Sequence, residues 1–198
     1  MNISIVCGNQ RNGQSQKVMS YLKSLCLETG LVNINCIDLF NRNIKAWDES
    51  VWKLGKDWDS NWNQTSDELK ASDGLIVISP EYGGMVPPIL KNFFLLCSQN
   101  ELAHKPGLLV GVSSTRNGAY PIAELRSSSY KNNKICYIPD HVIMRDVEKF
   151  LADPAGAEFA YLHERTKYSI NIFKFYVQAF KEIRKQEVVF LPKYKFGM

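Results

Sequence analysis

Gly74-Leu-Ile-Val-Ile-Ser79 is continuously apolar between its two small ends and too short for a helix, and it constrains the fold more than any other segment. A strand with apolar side chains on both faces needs a cover on both, which is the situation inside a parallel sheet flanked by helices. The rest of the chain supplies such a setting. Strand-like runs are predicted at Asn2–Cys7, Val32–Asp38, Leu108–Ser113 and Lys134–Ile138. Between them lie helix-like segments. One runs from Gln14 to Thr29 with Val18, Leu22, Leu25 and Cys26 on one face and Gly30 as C-cap. A short polar one covers Thr65–Ser72, another carries Ile89, Leu90, Phe93, Leu96 and Cys97, and a fourth spans Ala119–Tyr130. Five β–α units in succession predict a doubly wound α/β fold. After Asp153-Pro154 a long helix is expected to run towards Gln186, its face reading Phe159, Leu162, Thr166, Ile170, Phe173, Val177 and Phe180, with Glu187–Met198 as a tail. The expected organisation is a domain over residues 1–150, with 151–198 as a C-terminal helix and tail packed on it.

Composition excludes several classes. The 198 residues suit one domain. No apolar run approaches the ~18 residues of a membrane helix, and the start of the chain reads as a strand, not a signal peptide, so a cytoplasmic location is expected. The net charge of +4 is spread too thinly for the basic stripe that nucleic-acid binding needs. Cys7, Cys26, Cys36, Cys97 and Cys136 are odd in number and lack Cys-x-x-Cys spacing, which predicts reduced, mostly buried thiols. His104, His141 and His163 are isolated, so no metal site is expected. Residues 39–62 hold all four tryptophans, Trp47, Trp52, Trp58 and Trp62. They read either as a folded insertion on the domain or as a cover for a site or dimer interface.

In doubly wound sheets ligands bind beyond the carboxyl ends of the strands, where strand order reverses. The first such loop, Gly8-Asn-Gln-Arg-Asn-Gly-Gln-Ser15, opens a helix with small polar residues. It is an anion site by its backbone N–H groups and helix dipole, or else an ordinary turn with Ser15 as N-cap. It is neither a Walker loop nor a Gly-x-Gly-x-x-Gly turn. After the third strand, Ser79-Pro-Glu-Tyr-Gly-Gly84 offers an aromatic wall and two glycines that admit a flat ligand to the backbone. After the fourth, Ser113-Ser-Thr-Arg-Asn-Gly118 is small and polar with one cation.

On these residues the chain resembles the NADPH-dependent FMN reductase family, over about residues 1–145. Ser79-Pro-Glu-Tyr-Gly-Gly-Met-Val-Pro-Pro-Ile-Leu-Lys-Asn92 is similar to the family's flavin segment Ser-Pro-Glu-Tyr-Asn-x-x-x-Pro-x-x-Leu-Lys-Asn, with Gly83 in place of its Asn. Val112–Arg126 resembles the loop and helix after strand four, and the first loop resembles Gly-Ser-x-Arg-x-x-Ser. Asn9 replaces the first Ser there, and Gln14 or Ser15 stands for the second. The resemblance implies a flavodoxin-like five-stranded parallel sheet of order 2-1-3-4-5 with an added C-terminal helix. It implies FMN as cofactor, held by Asn9, Arg11, Gln14 and Ser15 at the phosphate and by Pro80, Glu81, Tyr82, Gly83, Gly84, Ser113, Ser114, Arg116 and Gly118 around the ring. NADPH or NADH would be co-substrate, and hydride would pass through FMN to a small acceptor such as a flavin or quinone. No side chain is expected to be catalytic. Glu81 reads as a turn carboxylate binding backbone or as an acid–base group, and Arg116 as a nicotinamide-phosphate contact or a solvated cation. Two rivals are a flavodoxin-like electron carrier or protein-binding module without nicotinamide turnover, and a flavin-free scaffold acting through the C-terminal helix. A homodimer or dimer of dimers is expected, paired through the helix after the flavin segment and the Trp-rich connection.

Overall fold

The computed structural model describes residues 1–190 and 192–194. Five strands form one all-parallel sheet, β1 (Asn2–Cys7), β2 (Asn33–Asp38), β3 (Gly74–Pro80), β4 (Pro106–Val112) and β5 (Cys136–Met144). Their order is β2-β1-β3-β4-β5, the flavodoxin-like arrangement that the sequence resemblance implies. Interleaved with them are α1 (Gln14–Glu28), α2 (Leu39–Arg42), α3 (Ser50–Leu54), α4 (Ser60–Lys70), α5 (Pro88–Leu96), α6 (Gln99–Leu102), α7 (Tyr120–Ser128), α8 (Val147–Ala152) and α9 (Ala160–Arg184).

Every residue of β3 and β4 is buried, so the continuous apolar run of β3 and its neighbour β4 occupy the centre of the sheet. Alternation along the strands divides the core. Ile3, Ile5 and Cys7 of β1 join Ile76, Ile78, Leu108 and Val110 beneath α1, α8 and α9, packed with Val18, Leu22, Phe150, Ile170 and Phe173. Val6, Leu75, Val77 and Leu109 face the other way, against Trp62, Leu69, Leu90, Phe93 and Leu125. Trp58 and Trp62 are buried in this second layer, whereas Trp52 is 74% exposed. The insertion reading therefore describes the second pair of tryptophans and not the first.

The helix read at Thr65–Ser72 starts earlier, at Ser60, because Asp59 caps it by accepting from the Asn61 N–H (2.9 Å). The helix at the end of the flavin-like segment begins at Pro88, with proline in the first turn. The long C-terminal helix spans Ala160–Arg184, and the short α8 that precedes it has no counterpart in the sequence reading. At the opposite edge of the sheet from the three loops, Asp73 ties the start of β3 to α9. It accepts from Asn2 N–H (2.9 Å), Lys181 Nζ (2.8 Å) and Arg184 Nη2 (3.1 Å).

The largest correction concerns β5. It continues through Pro139 and Asp140 to Met144, six residues beyond the expected end. Pro139 is tolerated because β5 is an edge strand and its register against β4 is interrupted between Gly107 and Leu109. The carbonyls of Ile138, Pro139 and Asp140 are collected by one guanidinium nitrogen, Arg126 Nη2, at 2.7, 3.0 and 3.3 Å.

The five cysteines are free thiols; Cys7, Cys26 and Cys97 are buried, and Cys36 and Cys136 half-buried. Among the described residues no helix is long and apolar enough to cross a membrane, and no cluster of His, Cys, Asp and Glu could hold a metal. The expected tail over Glu187–Met198 forms short 3₁₀ turns at Glu187–Phe190 and Pro192–Tyr194, its remainder lying outside the described residues.

Candidate functional site

Parallel pairing brings the carboxyl ends of β1, β3, β4 and β5 to one edge, and the segments that leave them enclose a polar cleft of about 200 Å³. Its lining takes Asn9, Arg11, Gln14 and Ser15 from the first loop, Pro80, Glu81 and Tyr82 from the second, and Ser113 and Ser114 from the third. All nine are residues singled out from the sequence. Gly83, Gly84, Arg116 and Gly118 stand outside this lining.

The first loop is preorganised. Gln16 Nε2 donates to Asp38 Oδ2 (2.5 Å) and to Asn12 Oδ1 (2.9 Å), and Gln16 Oε1 accepts from the Gly13 N–H (3.2 Å). Gly13, not Ser15, is thus the N-cap of α1. Ser15 lies buried in the first turn, where helix geometry gives the earliest backbone N–H groups no intrahelical acceptor, although the Gln16 N–H reaches the Gly13 carbonyl (3.2 Å). Gln14 Nε2 is engaged by Glu148 Oε1 (3.1 Å), which leaves the Ser15 hydroxyl as the freer of the two candidates. Asn9 is buried; its Nδ2 clamps the Arg11 carbonyl (2.8 Å), and its Oδ1 is the buried side-chain atom without a partner among the described residues. An orphaned buried acceptor costs about 1–3 kcal/mol, which a ligand hydroxyl entering the cleft would offset.

The second and third loops are tied together. The Gly118 N–H donates to Glu81 Oε2 (2.6 Å), and the Glu81 N–H to the Val112 carbonyl (3.0 Å). Glu81 is therefore a backbone-binding carboxylate, although its partner lies across the sheet edge and not within its own turn. The Gly118 N–H is consequently unavailable to a ligand. Gly118 (φ +102) folds its carbonyl onto Gly111, where a Cβ would collide with it, so the loop lies flat on the end of β4.

The flavin-like segment also anchors its surroundings. Asn92 accepts from the Trp47 N–H (2.6 Å) and donates to the Lys45 carbonyl (2.9 Å), fastening the Trp-rich connection to α5. Lys91 pairs with Glu124 (2.8 Å), which accepts from the Val86 N–H (2.8 Å). Burial works against the Glu124 carboxylate, yet these hydrogen bonds and the lysine charge hold its pKa below the ordinary value.

Val147 and Glu148 also line the cleft, and sequence reasoning missed them. Its shortened β5 hid a fourth contributing segment. The Asp146 N–H donates to the Thr115 carbonyl (2.9 Å) and the Val147 N–H to the Ser113 carbonyl (3.2 Å), so the exit of β5 braces the third loop. The acidic side chains Glu81 and Glu148 share the lining with one cation, Arg11.

A family model described as NADPH-dependent FMN reductase matches residues 1–149. A quinone reductase of Pseudomonas putida is 27% identical over 127 residues, which is 60% of this chain and 63% of that protein. An NADPH azoreductase of a Bacillus species is 25% identical over 118 residues, covering 60% and 64%. The match thus spans less than two thirds of either curated relative. Among solved structures, an oxidoreductase from Corynebacterium diphtheriae superposes with a TM-score of 0.67 at 15% identity, over 90% of this chain and 97% of that one. FerB, a flavoenzyme NAD(P)H:(acceptor) oxidoreductase from Paracoccus denitrificans, gives 0.64 at 19% identity, over 91% and 97%. At such identities the structural likeness establishes a shared fold.

Proposed function

Since the chain belongs to the NADPH-dependent FMN reductase family, we propose that it binds one FMN and uses it to pass reducing equivalents from NADPH or NADH to a small acceptor. The observation that carries this reading is the cleft itself. A helix-opening loop suited to a phosphate meets an aromatic side chain, Tyr82, and the small polar residues Ser113 and Ser114 at one sheet edge, with an acceptor unpaired among the described residues, Asn9 Oδ1, buried beside them. The names of the curated relatives point to quinones or azo compounds as the acceptor class.

In this reading the phosphate rests on the first-turn N–H groups of α1 and the Ser15 hydroxyl, with Arg11 as its cation. Tyr82 and the Gly83–Gly84 backbone flank the ring, and Ser113 and Ser114 close the other side. Bound FMN would supply the hydride chemistry. The protein's part is position and exclusion of water. The Glu81–Gly118 tie holds the two ring-side loops at a fixed separation, and the contacts of residues 146–147 stop the third loop from opening. Arg116, exposed outside the lining, would in this reading meet a nicotinamide phosphate arriving from solvent.

We read residues 1–150 as the flavin-binding unit, with 151–198 packed on it, in a cytoplasmic homodimer. The pairing surface is the groove of about 640 Å³ lined by Trp47, Trp52, Trp62, Leu95 and Leu96, where Leu95 is 64% exposed. Fluorescence titration with FMN tests the reading, followed by NAD(P)H oxidation with a quinone and with an azo dye. Absence of FMN binding at micromolar concentration would overturn it.

A further inference from the structure

Four of the chain's seven arginines end on a protein acceptor, and three do not. Arg42 ends on Glu68 (2.6 Å), Arg165 on Asp140 (2.9 Å), Arg184 on Asp73 (3.1 Å), and Arg126 on the carbonyls of residues 138–140. Among the described residues Arg11 and Arg116 have no side-chain partner. Arg145 uses only its Nε, which donates to the Asn117 carbonyl (3.1 Å). All three lie at the sheet edge that carries the cleft, Arg11 in its lining, Arg116 in the third loop and Arg145 directly after β5.

The phosphate takes up Arg11 in the reading above, which leaves the other two. They stand together. The Asp146 N–H donates to the Thr115 carbonyl (2.9 Å), so the two backbones run side by side there. The Nε bond then carries the Arg145 side chain from beside Thr115 to Asn117, across the position of Arg116. Two like charges side by side on an exposed surface gain little from packing and repel through water; an anion between them reverses the sign. The same opening has an apolar side, since Met85 is 60% and Tyr120 66% exposed. Both are held in place. Tyr82 and Met85 exchange backbone hydrogen bonds (3.1 Å each) about the Gly83-Gly84 turn, and Tyr120 Cδ2 lies 3.9 Å from where a Cβ on Gly84 would stand. Tyr120 opens α7 directly after the third loop, so thioether, phenol ring and guanidiniums border one opening.

We propose that this opening selects, among small acceptors, a flat aromatic one that bears a carboxylate or sulfonate. Its rings rest on Tyr120 and Met85, and its anionic group lies between Arg116 and Arg145. The proposal rests on the flavin reading and narrows its acceptor class, with Arg145 entering as a specificity-determining residue. A guanidinium holds such an anion through paired N–H donors, whereas an uncharged acceptor has the apolar contact alone. The anionic group is a handle that the reaction leaves unchanged. The nicotinamide cofactor is itself anionic and uses the same opening before the acceptor arrives, so its response to these arginines must be measured separately.

Calorimetric titration of the FMN-loaded protein with 2-naphthalenesulfonate and with uncharged 2-naphthol tests this, since neither accepts a hydride. The native chain should bind the sulfonate about tenfold more tightly, and raising salt should shrink that advantage. Arg116→Gln and Arg145→Gln should each cut the advantage about threefold, and the double variant should abolish it. Tyr120→Ala should weaken both ligands alike. In turnover, the kcat/KM for 1,4-naphthoquinone-2-sulfonate divided by that for 1,4-naphthoquinone should fall at least about fivefold in the double variant, a ratio in which changes in the nicotinamide half cancel. Equal binding of the two naphthalenes by the native chain overturns the proposal, as does an advantage that both arginine variants leave intact. Unchanged acceptor ratios with slower reduction of the flavin by NADPH in stopped flow assign the pair to the nicotinamide cofactor and overturn it too. No uptake of FMN would overturn the flavin reading and this proposal with it; uptake of FMN without preference for the anion overturns this proposal alone.

Discussion

Two carboxylates and one guanidinium line a cleft proposed to receive a phosphate dianion, so the backbone and the α1 dipole must hold that charge against a net negative set of side chains. Glu148 also withdraws Gln14 Nε2 from the ligand. Replacing Glu148 by Gln removes a repulsion on the order of 1 kcal/mol at a partly solvated separation. FMN should then bind about fivefold more tightly, with riboflavin affinity unchanged because it lacks the phosphate; parallel fluorescence titrations check both. Gly83 sits at φ +59, and a methyl group placed on its Cα would meet only Met85 Cε, at 3.7 Å, so space is available but the left-handed backbone disfavours a branched residue. Gly83→Val should cost roughly 1–2 kcal/mol in urea unfolding and weaken FMN binding. Unchanged affinity in that variant would remove the second loop from the ring site. Neither feature of Glu148 is visible in a motif, because its proximity arises from the end of a different strand.

At the scale of elements, side chains that terminate or brace the helices decide stability. Lys105, buried just before β4, donates to the carbonyls of Leu69 (2.6 Å) and Lys70 (3.2 Å), closing the C-terminus of α4. Burial, with Arg184 nearby, lowers its pKa from 10.5 to about 8. Between those values the unfolded chain holds the proton that the folded chain has released, so this group adds stability as pH rises through that window. Below it both states are protonated and the burial cost is fully present. Buried Cys97 and Tyr137, whose pKa values are raised by desolvation, titrate with the opposite effect. The expectation is therefore a difference. Wild-type stability relative to Lys105→Met should climb by on the order of 3 kcal/mol from pH 8 to 10.5, measured by urea unfolding. Arg126→Leu should destabilise by roughly 2–3 kcal/mol, since it strips the shared donor from three carbonyls at the β5 irregularity. That irregularity also explains why β5 runs past its expected end. Pro139-Asp140 is a stop signal locally, and only an edge position with an outside donor makes it part of a strand.

For the whole molecule, the proposed homodimer predicts that Leu95→Glu lowers the sedimenting mass at micromolar concentration; an unchanged mass would remove the groove from the interface. Much of the architecture was legible because it depends on patterns that one sheet imposes on its strands and helices. A continuous apolar run marked β3, a 3.6-residue periodicity marked α1, and the succession of β–α units implied the parallel sheet. Nine of the residues singled out in the three loops meet in one cleft for the same reason, since parallel strands send all their exits to one edge. What the chain could not reveal locally were the relations between distant segments. Glu81 reaching the Gly118 N–H, Asn92 clamping residues 45–47, α8 bringing Glu148 to the first loop and the exposure of Tyr161, Tyr168 and Phe175 on α9 all depend on which surfaces the sheet brings together. Periodicity and turn chemistry are short-range and are written in neighbouring residues, so the sequence determined most of the elements and their parallel succession, while the strand order was implied by the family resemblance. Hydrogen bonding across the sheet edge and the division of helix faces between core and solvent follow from three-dimensional proximity, and only the tertiary structure decided them.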